Sequence, residues 1–478
     1  VFRISEISEE LTEAGNSNRT QTVGSDDFLT RLGEAQGQLD AGFAHLPQSP
    51  LPVLGADAAA ILGEAAERLH DNYPYAHPLY AGQMLKPPHP IARAAYAMAM
   101  SVNPNNHALD GGRASSAMEL EAVAALAKMY GWPEHLGHLS SGGTFANLEA
   151  LWVAGQLHPG RAVVASDQAH YTHTRISGVL GLPFFAIRTE DTGRMDLLAL
   201  ERVLETEDVG TVVATLGTTA VGAVDPLDRI LDLQKKYGFR VHVDAAYGGY
   251  FTLARNLGQD ARAAFDAIPH ADSLVVDPHK HGLQPYGCGC ILFRDPNVGR
   301  LYKHDSPFTY FSSKELHLGE ISLECSRAGA SAVALWATQR LLPYEVGGEF
   351  ARGLEAGRDA ALAMHTRLAD DSRFVLPRTP PMLDILFWAP RAQSLAEASS
   401  RSQAIFEEAA RRDLYLALAE LPVRYFPVGT WADASEDALV TCLRSVQMKP
   451  EHLAWGNEIW LRLDAAATAI SPTESALI

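Results

Sequence analysis

The spacing of apolar residues changes character along the chain. In MELEAVAALAKMYG (118–131) apolar positions recur at helical intervals, and Gly131 falls where a glycine closes a helix in the left-handed conformation. Short continuous apolar runs follow: RAVVAS (161–166), PFFAIR (183–188), GTVVATLG (210–217), FRVHVDA (239–245), SLVVDP (273–278) and CILFRD (290–295). Their length and β-branched content predict buried strands. Helical patterns lie between several of them, including one from Pro226 to Tyr237 with Asp225 as its cap and Gly238 as its stop. Apolar strands alternating with helices predict an α/β fold with a mostly parallel, doubly wound sheet, because crossover helices cover both of its faces.

The flanking regions are patterned differently. The first 90 or so residues are weakly periodic and punctuated by Gly and Pro, ending in the aromatic-rich HDNYPYAHPLYAGQMLKPPHP. They predict an arm with short helices. After about residue 345, helices over 347–369 and 397–413 and strands around 383–388 and 438–446 predict a smaller α+β domain. The expected division is 1–90, 91–345 and 346–478, in keeping with a 478-residue chain that exceeds the ~250–300 residues one core supports.

Composition narrows the partners. No run of about 18 apolar residues appears, so no membrane span is expected, and VFRISEISEELTEAGNS lacks the basic-then-apolar order of a signal peptide. The formal net charge is −18 with no Lys/Arg block, which argues against nucleic acid. The four cysteines, Cys288, Cys290, Cys325 and Cys442, form neither a disulfide framework nor a zinc pattern. A cytoplasmic protein without a metal site is expected.

Candidate chemistry gathers where the predicted strands end, the place where open α/β sheets bind ligands. HVDAAYGGY brings Asp244; VVDPHKHG brings Asp277, His279 and Lys280; SDQAHYTH brings His170; Thr218 and Thr219 follow GTVVATLG. SSGGTFANLEAL places Gly142, Gly143 and Thr144 before an amphipathic run. Taken singly, these read as a glycine turn, a helix cap, a structural histidine and a surface lysine. Taken together they converge on one crevice and suit pyridoxal 5′-phosphate. Helix N-terminal amides bind a phosphate. A lysine in a partly desolvated crevice can form a Schiff base. A carboxylate facing a pyridine nitrogen keeps it protonated and makes the ring an electron sink, and an imidazole can stack on that ring. SSGGT lacks the features of a P-loop or a dinucleotide fingerprint.

SDQAH, ATLGTT, HVDAAYGG and DPHK occur in an order, with ASSAMELEAVAALA before them, that resembles the group II pyridoxal-phosphate-dependent amino acid decarboxylases, over roughly residues 70–345. The resemblance implies an aspartate-aminotransferase-like fold (fold type I) and release of carbon dioxide from an L-amino acid, leaving the amine. It implies Lys280 as the Schiff-base lysine and Asp244 as the partner of the pyridine nitrogen. His170 would stack on the ring, Ala246 would pack on its other face, and Thr219 would stand near it. Gly143 and Thr144 would bind the phosphate, with His279 close by. A homodimer with active sites at the interface is implied, the N-terminal arm packing on the partner and HPLYAGQ lining the substrate entrance. The family's loop tyrosine, which supplies the final proton, is matched by Tyr310 in HDSPFTYF within the polar segment 301–319, with Tyr302 as the alternative.

Some positions depart from the family pattern. Phe145 stands where the family has an acidic residue, and Asp277 replaces an asparagine, so its carboxylate would repel the phosphate unless it points away. Arg327 in ECSRAGA reads either as a substrate-binding residue or as half of a structural salt bridge. SDQAH favours an aromatic substrate and leaves an acidic one open. HKHGLQPYGCG is also similar to sphingosine-phosphate lyases and archaeal tyrosine/aspartate decarboxylases. A carbon–carbon lyase, which normally carries a membrane anchor, and an aromatic aldehyde synthase, which goes with Phe in place of the loop Tyr, are the alternatives.

Overall fold

A computed structural model describes residues 25–47, 55–303, 317–432 and 434–470. The chain forms two compact units, Val1–Ser49 and Pro50–Ile478. The first contains α1 (Ser25–Gly42), an 18-residue helix longer than the short helices expected there.

The second unit is built on two sheets. The larger contains β1 (Leu136–Ser140), β2 (Ala162–Ser166), β3 (Phe184–Ile187), β4 (Val209–Thr215), β5 (Arg240–Asp244), β6 (Ser273–Val276) and β7 (Gly289–Phe293). Their order is β1-β7-β6-β5-β4-β2-β3, with only β7 running against its neighbours. The six apolar runs are therefore strands of one mostly parallel sheet, as their pattern predicts. β1, with the sequence LGHLS, is too short and polar to announce itself; its His138 is buried because a carboxylate meets it there.

Helices α2 (Ala58–Leu69), α3 (Pro90–Val102), α4 (Leu109–Met129), α5 (Gly143–Leu157), α6 (Thr172–Leu180), α7 (Leu197–Thr206), α8 (Leu227–Tyr237), α9 (Gln259–Asp266) and α10 (Gly329–Leu341) accompany this sheet in the chain. Every residue of β4 is buried, as expected of a central strand covered on both faces. Gly131 and Gly238 have φ of +77° and +73° and stop α4 and α8 as expected. Asp225, however, does not cap α8. Its carboxylate is wholly buried and accepts the N–H groups of Met195 (2.7 Å) and Thr215 (2.9 Å), so it ties two loops together.

The smaller sheet is antiparallel, in the order β10-β11-β9-β8, from β8 (Phe374–Val375), β9 (Ile385–Pro390), β10 (Ala417–Pro422) and β11 (Leu439–Val446). It carries α11 (Glu349–Ala369), α12 (Leu395–Ala410) and α13 (Glu451–Ile470). Among the described residues no helix is long and apolar enough to cross a membrane.

Candidate active site

The carboxyl ends of β1, β2, β4, β5 and β6 open into one cleft of about 400 Å³. Its lining includes Gly142, Gly143, Thr144, His170, Thr219, Asp244, Ala246, His279 and Lys280. All the residues singled out for cofactor binding therefore share this wall.

Asp244 ends β5. Oδ1 accepts the Ala246 N–H (3.1 Å), and Oδ2 lies 2.8 Å from Nε2 of His173 on α6. Burial alone would raise this carboxyl's pKa; the hydrogen bond and charge of His173, with Lys280 and His242, outweigh that and hold it far below the usual carboxylate range. His173 was not foreseen. It sits three residues beyond His170 in SDQAHYTH, on a helix whose start brings one histidine to the cleft and the other behind the aspartate.

His170 is half-buried, with Nδ1 2.9 Å from Thr172 Oγ1 and its ring 4.4 Å from that of Tyr171. Burial lowers its pKa, with Lys280 adding to the effect and Asp244 opposing it, which favours the neutral imidazole. His279 is likewise lowered, chiefly by burial; its Nδ1 donates to the Cys288 carbonyl (2.8 Å).

The glycine loop leads into α5. Phe145 and Ala146 both donate to the Gly142 carbonyl, whereas the N–H groups of Gly143 and Thr144 have no acceptor among the described residues. No acidic side chain stands in the first turn, since Phe145 takes that place, so the positive end of the helix is left for an anion. A Cβ on Gly143 would lie 2.6 Å from Asp277 Oδ2, so only glycine fits. Asp277 thus points towards this turn and not away from it. Its Oδ2 pairs with Lys280 Nζ (3.1 Å), which offsets the repulsion that its position would create, and Oδ1 has no partner among the described residues. Free amides on a glycine-walled turn, a lysine, a buried ionised aspartate and a neutral imidazole form a donor set that fits pyridoxal phosphate.

Other expected participants stand elsewhere. Tyr310 lies outside the described residues. Tyr302 does not face the cleft: it is buried among Val298, Phe293 and Trp152, and its hydroxyl donates to Glu149 Oε2 (3.0 Å). Arg327 is half of a buried salt bridge, with Nη1 2.9 Å from Glu119 Oε1 and a further bond to the Leu139 carbonyl. HPLYAGQ does not line the cleft either. Tyr80 bridges to Tyr415, Ala81 exchanges hydrogen bonds with Tyr415 and Val446, and a Cβ on Gly82 would meet the Leu416 carbonyl at 2.6 Å, so the stretch knits into the small sheet.

Arg444 of β11 also escaped notice. Its buried guanidinium donates to the carbonyls of Thr219 (2.6 Å), Ala220 (2.9 Å) and Gly82 (2.9 Å), fixing the loop that carries Thr219. Gly217 lets that loop turn, at φ +103° with Gly248 N only 3.0 Å from its missing Cβ.

Comparisons with known proteins agree with this arrangement. The pyridoxal-dependent decarboxylase conserved domain matches residues 153–390. L-tyrosine decarboxylase of Enterococcus faecium is 27% identical over 447 residues, 71% of this chain and 73% of the relative. Cysteine sulfinic acid decarboxylase of Mus musculus is 27% identical over 412 residues, 79% and 81% of the two chains. The crystal structure of Oryza sativa TDC with PLP and tryptamine superposes with a TM-score of 0.75 over 94% of this chain and 99% of that one, at 19% identity, a likeness of fold. The chain belongs to the group II pyridoxal-phosphate-dependent amino acid decarboxylases and is a carboxy-lyase acting on an amino acid.

Proposed function

We propose that the substrate is an aromatic L-amino acid, converted to its amine and carbon dioxide. One observation carries the choice: Lys280 is the only lysine or arginine lining the described part of the cleft. Arg327 and Arg444, the nearby candidates for an acidic side chain, are spent on Glu119 and on backbone carbonyls. An acidic side chain would therefore be desolvated without a fixed positive partner. Tyr286, whose ring centre lies 4.7 Å from that of His279 at a tilt of 34°, offers an aromatic surface beside the lining instead.

When bound, pyridoxal phosphate supplies an electron sink for the pair left at Cα as the carboxylate departs. The chain's own groups have separate tasks. Gly143 and Thr144 N–H groups, with Gly142 shaping the turn, hold the phosphate, and His279 borders it. Lys280 Nζ, which lines the cleft, would hold the cofactor covalently. Asp244, kept ionised by His173, holds a proton on the ring nitrogen. His170 and Ala246, with Thr219, line the cleft and would hold the ring. Turnover consumes one proton at Cα, which we assign to Tyr310 on the family resemblance. We further propose a cytoplasmic homodimer with the active sites at its interface and the N-terminal 90 residues packed on the partner. α2 supports this reading, because Ile61, Leu62 and Leu69 leave its apolar face exposed.

The test is amine and carbon dioxide release from L-tyrosine, L-tryptophan and L-phenylalanine against L-aspartate, L-glutamate and cysteine sulfinate. An aromatic preference of about 100-fold in kcat/KM is expected, as for about 3 kcal/mol of differential binding. A preference for an acidic substrate would overturn the assignment. Tyr310→Phe should shift product from amine towards aldehyde under air, and an unchanged amine yield would remove Tyr310 from the proton path.

A further inference from the structure

A second cavity, of about 500 Å³, lies on the other side of the segment that carries Lys280. Lys280 lines the cofactor cleft, while His281 and Leu283 line this second space. Three helices begin at its wall: α3 at Pro90, α11 at Glu349 and α13 at Glu451. Helix starts carry unsatisfied N–H groups and partial positive charge. The first-turn residues Glu349 and Glu451 border the cavity on its exposed side.

Two ammonium groups line the same cavity. Lys449 is only 2% exposed; its Nζ donates to the Tyr80 carbonyl (2.6 Å) and lies 5.3 Å from that ring's centre. Lys86 Nζ donates to the Met448 carbonyl (3.3 Å) and stands 3.5 Å from Nδ1 of His281. Neither lysine makes an ion pair among the described residues. Burial, opposed by Asp384 and Glu451, lowers the Lys86 pKa to about 8; burial and the charge of Lys86, opposed by Glu451, lower that of Lys449 to about 8. Both are still mostly charged at pH 7, and a buried charge without a counterion is costly. One wall is apolar, formed by Leu283, Leu342, Phe350 and Leu354, while His89, Glu349, Arg352 and Glu451 also border the space.

We propose that this cavity is a binding site for an organic anion, its carboxylate or phosphate head held by Lys86 and Lys449 and its hydrocarbon body lying on the leucine and phenylalanine wall. This goes beyond the decarboxylation reaction and does not depend on which amino acid is the substrate. A purely inorganic ion would leave the apolar wall wet, and a neutral ligand would leave the two ammonium groups without a paired anion.

The experiment is calorimetric titration of the full-length holoenzyme, its cofactor first fixed by borohydride so that the Lys280 cleft is closed to competition. The probes are phenyl phosphate, benzoate and inorganic phosphate. One saturable site per chain is expected for phenyl phosphate or benzoate, and the tighter of the two identifies the preferred head. Inorganic phosphate should bind about 10-fold or more weakly for want of a buried ring. The double variant Lys86→Met/Lys449→Met should lose about 10-fold or more, as charge-assisted hydrogen bonds disappear. Ala76→Trp, at an exposed position of the lining, should block the site without touching either lysine and serves if the double variant does not fold. The proposal is overturned if neither aryl anion gives a saturable heat, if inorganic phosphate binds as tightly as phenyl phosphate, or if binding persists in Ala76→Trp.

Discussion

His173 Nε2 donates to Asp244 Oδ2 across 2.8 Å, and the pair is almost wholly buried behind the cofactor cleft. Burial pushes the Asp244 carboxyl up, and His173 is the first influence that brings it down. Replacing His173 with Leu leaves burial less opposed, so the Asp244 pKa must rise. Activity requires the ionised form; the acid limb of the kcat–pH profile is therefore expected to move to higher pH. At pH 7 kcat should fall about 10- to 100-fold, the loss of one electrostatic support. His173→Gln, which can still donate from an amide, should recover part of the shift. A profile that keeps its acid limb would show that His173 only fills space.

Under the proposed function, Lys280 is the residue expected to carry the cofactor. Borohydride reduction of the yellow holoenzyme, followed by peptide mass mapping, is expected to place the adduct there. Lys280→Ala should remain folded by circular dichroism, because the side chain packs no core. An adduct on any other lysine would refute the site.

Asp277 faces the turn expected to take the phosphate, with Lys280 as its counterion. Asp277→Asn removes a like charge near the phosphate. Titration of the apoenzyme should give an apparent Kd for pyridoxal phosphate about 10-fold lower, as for relieving repulsion between partly screened charges. A higher Kd would mean that the Asp277–Lys280 pair prepares the lysine for the cofactor and that this service exceeds the repulsion.

Glu149 of α5 is fully buried and accepts from His138 Nε2 (2.8 Å), Tyr302 Oη (3.0 Å), Leu323 N (3.1 Å) and, more distantly, Ser322 Oγ (3.4 Å). Two of its partners belong to the 322–323 turn and one ends the run at 302. Glu149→Leu strands these donors and should cost about 3–5 kcal/mol of stability, read as a lower midpoint in urea. A midpoint shift below about 1 kcal/mol would mean that water replaces the carboxylate.

The cofactor cleft was largely legible because it rests on local signals. Each strand is a short apolar run whose last residues are polar, and a parallel sheet brings those ends together. Gly142, Gly143, His170, Asp244 and Lys280 could all be read in this way. What was not legible depends on distant pairing. His138 and Glu149 make a buried pair 11 residues apart that no periodicity marks. Arg327 and Arg444 look alike in sequence, each a lone arginine with no charged neighbour to mark its partner. Only the position of Glu119 for one, and of three carbonyls for the other, separates their uses. Asp225 has the right residue type and place for a helix cap, yet the Met195 and Thr215 amides compete for it and win.

The reach of Arg444 across 225 positions to Thr219 has a consequence for how the enzyme comes into being. Domains generally fold as units while the chain is being made, N-terminal parts first. Here the large sheet can form early, but the loop that carries Thr219 remains unfastened until β11 has been made and delivers its guanidinium. A ribosome-bound chain ending before residue 439 would hold the catalytic lysine and the aspartate and still lack a finished cleft. Cofactor capture is thereby deferred until residue 444 has been made and folded, and a product cut short before it is denied chemistry that the preceding residues otherwise encode.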